Sequence, residues 1–470
     1  MEWAAALPYA SGKVGMFGGS YEGATQMLAA IAAPPHLAGL FPFVTGSNYY
    51  EGWTYQGGAF SQWFTQMWAS GLAEDTLSRR VAKNSNSLRW VRKLPLADYP
   101  YLDLGTSEGL APYFLDWLAH PAYDDYSKQW SIEERHAKIL VSAYHAGGWY
   151  DIFLGGTLRN YMGIKAQGGN DQARRGQRLL VIVGGHAGSG RKLGEVDFGP
   201  AAKLELEDIM LRWYYYLLKG IENGIEKEKP VKIFVMGQNA YREEENWPPA
   251  RARMSRLYLH SAGNANSLGG DGTLSELAPQ SEKADHFSYD PADPVPTLGG
   301  ILCCDSAHRM SGPHDQRPAE SRADVLVYST LQFKEELEVT GPLSVELYAS
   351  SSAADTDFTA KLVDVWPNGF AQNLAEGILR ARFRNSPEKA EFMNPGQSYK
   401  LNIDLWATSN GFLKGHRLRL EISSSNFPRF DRNLNWGEEI AHATRIIKAI
   451  NTVYHDGEHP AAIILPRMSP

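Results

Sequence analysis

An α/β sheet with an inserted helical cap, followed by an all-β domain, is the architecture this sequence predicts. Three observations predict it. Through residue 245, short apolar runs bounded by Gly or Pro alternate with helical patterns. One gap in that alternation, residues 46–136, holds helical patterns only. After Trp247-Pro248-Pro249 the chain changes to short alternating runs separated by turns.

The strand candidates of the first part are residues 14–17, 39–44, 139–143, 179–183 and 231–235, each apolar in the manner of buried parallel strands. Helices are expected over 24–33, 153–165 and 204–221. The gap contains "FSQWFTQMWASGLAEDTLSRR" and "APYFLDWLAH" and is too long for a loop, so it reads as a helical subdomain. In the last part, "SRLYLHS", "ADVLVYST", "LSVELYASS" and "HRLRLEISSS" read as strands of a sandwich or jelly roll. The expected divisions are 1–47 and 136–245 for the two parts of the α/β unit, 48–135 for the cap, and 246–470 for the jelly roll.

Composition excludes several function classes. At 470 residues the chain is too long for one ordinary core. A formal net charge of -7 without a basic block argues against nucleic acid as a partner. No apolar run is long enough to cross a bilayer, so no membrane partner is expected. Residues 1–12 lack the charged start and apolar core of a signal peptide, and the sequence leaves localisation open. The only cysteines, Cys303 and Cys304, are adjacent and read as two free thiols.

The chemistry is signalled at "GKVGMFGGSYEGATQ". Ser20 sits among glycines where a strand becomes a helix, the context of the Gly-x-Ser-x-Gly nucleophile elbow of α/β-hydrolases. The turn lifts the hydroxyl above the sheet edge. The Tyr21 N–H then points to where a carbonyl oxygen becomes negative, beside the positive end of a helix. In this fold an acid and then a histidine follow the serine in chain order. The third strand leads to Asp151 in "YHAGGWYDIF", and the fourth leads to His186 in "GGHAGSG". His186 takes the base role and Asp151 the orienting role. His145 competes for the base role, and Asp197 reads as a turn cap. Asp305, His308 and His314 in "CCDSAHRMSGPHD" imitate a metal site but read better as a polar loop.

These segments resemble the cocaine-esterase-like hydrolases, a group that also takes in α-amino-acid ester hydrolases, glutaryl-cephalosporin acylases and X-prolyl dipeptidyl peptidases. The resemblance continues through "YYEGWTYQGGAF", "LRWYYYLLKGIENGI", "GPHDQRPAESRADVLVYST" and "YHDGEHPAAIILP", essentially the whole chain. It implies a Ser20-Asp151-His186 triad and hydrolysis of a small ester or amide through an acyl-enzyme, with no cofactor and no metal. It also implies pocket roles for Phe153 and Trp53, although helix packing accounts for Phe153 equally well. The alternatives are an acylase or X-prolyl dipeptidyl aminopeptidase, and a jelly-roll binding protein with a vestigial hydrolase part.

Two departures from the family pattern carry expectations. The amino-acid ester hydrolases place acids just after the triad aspartate, whereas Asp151 is followed by Ile152-Phe153-Leu154. An apolar acyl pocket is expected. The family also draws its second oxyanion donor, a tyrosine hydroxyl, from a segment well before the elbow. Here 19 residues precede Ser20, and Tyr9 is too near the elbow strand to serve. The sequence thus reads as N-terminally incomplete. Its first strand would form a sheet edge expected to aggregate or to pair with another copy.

Overall fold

The computed structural model describes residues 1–79, 90–99, 110–186, 188–304 and 311–469. Two sheets organise them. The first runs β1 (Val14–Gly19), β2 (Leu37–Phe43), β3 (Ser142–Tyr150), β4 (Gln177–Gly185), β5 (Val231–Val235) and β6 (Ala240–Glu244), side by side in that order. The first five are parallel and β6 closes the far edge antiparallel. Among the described residues β1 pairs with β2 alone, and Phe17 on it is 63% exposed.

Among the described residues, five helices of eight residues or more accompany the sheet: α1 (Tyr21–Ile31), α2 (Gln62–Arg79), α3 (Pro112–Ala119), α4 (Leu154–Gln167) and α5 (Leu206–Lys219). Strand side chains alternate between faces, and the two cores follow that alternation. Leu40, Ala143 and Val181 join Met27 of α1 and Ile164 of α4 in one core. Phe41, Tyr144 and Leu180 join Trp213 of α5 in the other. The glycines of β1 and β2 let α5 approach closely: a Cβ on Gly15 would lie 2.3 Å from the Tyr214 ring, and one on Gly39 2.3 Å from Leu217. Helices α2 and α3 lie between β2 and β3, as the gap in the strand pattern requires.

The second sheet holds eleven strands: β7 (Ala252–His260), β8 (Thr273–Ser275), β9 (Asp285–Tyr289), β10 (Leu326–Ser329), β11 (Leu337–Ser351), β12 (Asp357–Val365), β13 (Ala371–Arg380), β14 (Tyr399–Phe412), β15 (Arg417–Ser423), β16 (Ala449–Tyr454) and β17 (Ala462–Met468). Its longest ladder is antiparallel, β11 against β14. Short polar contacts tie it to the first part. Met236 N–H donates to Ser409 O at 3.0 Å, and the Tyr150 hydroxyl donates to Asn373 O at 2.8 Å.

Two expectations are corrected. The third strand is not 139–143 but Ser142–Tyr150, with all nine residues buried. Its glycines are packing glycines rather than loop markers, since a Cβ on Gly148 would lie 2.4 Å from Gly184 O. Cys303 and Cys304 are joined as a disulfide rather than free. Asp305 and His308 lie outside the described residues.

Candidate active site

Ser20 occupies the step between β1 and α1 with φ 58° and ψ −130°, a backbone conformation that L residues seldom adopt. Several contacts hold it there. Its N–H donates to Phe43 O at 3.0 Å, and its carbonyl accepts from Gly23 N, Ala24 N and the Thr45 hydroxyl, the last at 2.6 Å. The side chain of Gln26 donates to Gly18 O at 3.0 Å and accepts from Phe41 N at 3.2 Å, tying α1 to both strands.

The glycine pattern departs by one residue from Gly-x-Ser-x-Gly: Glu22 stands at the fifth position and Gly23 follows it. The packing accounts for this. A Cβ on Gly18 would lie 2.7 Å from the Glu22 Cβ, and a Cβ on Gly23 would lie 2.7 Å from the Thr45 Cβ. The close approach of α1 to the segment after β2 therefore falls at Gly23.

Asp151 directly follows β3, fully buried. One of its oxygens accepts from Phe153 N at 2.6 Å, at the entrance to α4. The other lies 3.1 Å from His186 Nδ1. His186 follows β4, and its Nε2 lies 3.0 Å from Ser20 Oγ. The fold thus brings Ser20, His186 and Asp151 into one hydrogen-bonded row from residues up to 166 positions apart. With Asp151 on Nδ1, Nε2 is the nitrogen left to exchange a proton with the serine. Tyr21 opens α1 half exposed, and its N–H is among the first-turn donors that a helix leaves without an internal partner.

The competing residues stand elsewhere. His145 is buried within β3, its Nε2 2.8 Å from the Gln177 side-chain oxygen, and burial pushes its imidazole down to about 4 despite that bond. It is a core histidine. Asp197 pairs with Arg191 at 2.8 Å and accepts from Gly199 N at 2.9 Å, which makes it a turn cap. His314 N–H donates to Asn373 Oδ1 at 2.8 Å.

Another serine, histidine and aspartate meet in the second sheet. Ser261 Oγ is 3.3 Å from His455 Nε2, but Asp285 Oδ2 lies 2.8 Å from that same nitrogen. Asp285 also accepts from the Tyr328 hydroxyl and Ala265 N. The carboxylate occupies the nitrogen a base would use, so this trio is a strut.

Aromatic side chains wall this hydrogen-bonded row. The Phe153 ring, fully buried, meets His186 edge-on at 5.2 Å and stacks on Trp53 at 4.4 Å. Phe64 of α2 meets Phe153 edge-on at 5.8 Å. Trp406 of β14, with φ 60°, lines a small cavity together with Trp53 and Ile152, so the second sheet also reaches this region. Trp406, Gln26 and Thr45 escaped the sequence reading. Gln26 lies in the quoted elbow segment and Thr45 just after the second strand candidate, but nothing local marks their partners.

Comparison with known proteins is consistent across the chain. A family model described as X-Pro dipeptidyl-peptidase (S15 family) matches residues 1–188. One described as X-Pro dipeptidyl-peptidase C-terminal non-catalytic domain matches residues 223–464. The chain is similar to the cocaine esterase of Rhodococcus sp. (strain MB1 Bresler), with 36% identity over 99% of this chain and 82% of that protein. It is also similar to a putative serine esterase of Mycobacterium bovis, at 23% identity over 92% and 74% of the two chains. Among solved structures, an aminopeptidase from the marine sediment archaeon Thaumarchaeota archaeon superposes with TM-score 0.83 at 25% identity, covering 99% of this chain and 78% of that one. An α-amino acid ester hydrolase gives the same TM-score and identity over 97% and 77%.

Proposed function

Because the chain belongs to the cocaine-esterase-like family of serine hydrolases, we propose that Ser20, His186 and Asp151 carry its hydrolysis of esters or amides. The observation that supports this most is the row itself, Ser20 Oγ to His186 Nε2 at 3.0 Å and His186 Nδ1 to Asp151 at 3.1 Å. Ser20 Oγ attacks the acyl carbonyl carbon while its proton passes to His186 Nε2. Asp151 holds the ring and stabilises the imidazolium. The oxyanion of the tetrahedral intermediate accepts from Tyr21 N–H at the start of α1. His186 returns the proton to the leaving oxygen or nitrogen, which departs. An acyl group then remains on Ser20. A water, deprotonated by His186, attacks the acyl carbon, and His186 returns that proton to Ser20 Oγ as the C–Oγ bond breaks and the acid leaves.

An amide substrate is the second reading, favoured by the match to the X-Pro dipeptidyl-peptidase model over residues 1–188. The same residues serve it, with an amine as leaving group.

The acyl side is apolar in this reading. Ile152, Phe153 and Leu154 after Asp151 are all buried, and Phe153 touches the His186 ring. Phenylacetic methyl ester and phenylglycine methyl ester, which differ by one ammonium, are therefore expected to have similar kcat/KM. A preference of about 100-fold for the ammonium ester, roughly 2.7 kcal/mol, needs a carboxylate partner and would contradict the apolar pocket.

A further inference from the structure

We propose that the cap holds a second small-molecule site, built for an organic cation with an apolar body. A cavity of about 320 Å³ opens there, its wall made chiefly of Tyr49, Tyr113, Trp117, Tyr126 and Trp130, with His120 beside them. That volume is in the range of ligand pockets. Among the described residues its lining holds none of Ser20, Asp151 and His186, and three ring contacts lie between: Tyr49 on Trp53 at 4.5 Å, Trp53 on Phe153 at 4.4 Å, and Phe153 edge-on to His186 at 5.2 Å.

Several of the lining rings are steeply inclined to one another. Tyr126 and Trp130 stand at 87° to one another, Tyr49 and Trp130 at 57°, and Tyr113 and Trp117 at 55°. The ring planes around the cavity are therefore turned in several directions, and a cation seated there could meet a ring face, which attracts it. The charges nearby have the matching sign. Asp116 and Asp124 lie close enough to raise the Tyr126 hydroxyl pKa, after the larger effect of burial. Among the described residues, no Lys or Arg lines the cavity. Lys128, two residues after Tyr126, is turned to Glu388 at 2.7 Å. Arg135 donates to the carbonyls of Lys128 and Gln129. His120 stacks on Tyr126 at 4.3 Å and is tied to Asp124 by a 2.6 Å contact at Nδ1. Together these features select a tertiary or quaternary ammonium over an anion, and over a neutral molecule of the same shape.

The test uses the full chain carrying Ser20→Ala, so binding is read without turnover and independently of the catalytic assignment. Choline and its uncharged isostere 3,3-dimethylbutan-1-ol are titrated by calorimetry. Choline is expected to bind at one saturable site, about five-fold or more tighter than the isostere. Trp130→Leu, at a position already 36% exposed, is expected to weaken choline about five-fold or more, and Tyr126→Leu to do the same. Asp124→Asn should lower the affinity for choline while leaving that for the isostere in place. Absence of saturable choline binding in the folded protein overturns the site. Equal affinity for the isostere overturns its cationic character. Full binding retained by both ring variants moves the ligand elsewhere.

Discussion

Ser20→Ala and His186→Ala are each expected to lower turnover of an ester substrate by about 10⁴-fold or more, and the double variant to be scarcely slower than either. The reason is that the three groups act on one proton. Without Ser20 no acyl-enzyme forms, so a base at position 186 has nothing to activate for the first step. Without His186 the hydroxyl keeps its proton at neutral pH and attacks slowly. Removing the second group after the first thus removes little more. Asp151→Asn should fall in the same range, because an amide at Nδ1 favours the tautomer that places a proton on Nε2, facing Ser20. His145→Ala separates the assignments. It deletes a core side chain hydrogen-bonded to Gln177 and should change stability more than chemistry. Rates that survive His186→Ala and vanish in His145→Ala would show that the base had been misassigned.

Arg380→Leu is expected to destabilise the folded chain by about 3–5 kcal/mol. Arg380 is buried between two carboxylates, with contacts of 2.9 Å to Asp357 and 2.9 Å to Asp431. Asp431 in turn accepts from Phe60 N at 2.8 Å, which ties this network to the segment between β2 and β3. Burial pushes the Asp357 carboxyl up to about 6 even with the guanidinium beside it. Removing the cation leaves two acids without a counter-charge in a dry interior, and that penalty is what the variant measures. Adding Asp357→Asn and Asp431→Asn should recover much of the loss, because the orphaned charges go with them. Urea midpoints of the three proteins provide the test. An Arg380→Leu chain within about 1 kcal/mol of the parent would mean that the network is hydrated and carries little.

Much of this molecule was legible from pattern. The runs at 14–17, 179–183 and 231–235 stand on β1, β4 and β5 because buried parallel strands are short and apolar on both faces. Ser20, Asp151 and His186 were singled out because each comes after a strand candidate, and in the structure each directly follows β1, β3 or β4, where side chains from distant parts of the chain converge. The third strand was misplaced for a physical reason. Gly147 and Gly148 look like loop residues, yet β4 and α4 pass so close that a side chain at Gly148 would collide with Gly184 and one at Gly147 would crowd Thr157. The supports of the site were not legible. Thr45 meets Ser20 across 25 positions, and Trp406 arrives from the second sheet. Glu133 anchors Arg159 of α4 at 2.9 Å and Asn48 at 2.7 Å, over 26 and 85 positions. Such contacts follow from the folded path, and no local spacing announces them.

The central claim is that Ser20 is a nucleophile activated by His186. Intact-mass and peptide-level analysis after treatment with a fluorophosphonate tests it most directly, because the reagent phosphonylates an activated serine hydroxyl and needs no knowledge of the substrate. The account predicts one adduct, on the peptide containing Ser20, absent from Ser20→Ala and formed far more slowly in His186→Ala. An adduct on another residue, or one that persists undiminished in Ser20→Ala, would contradict it.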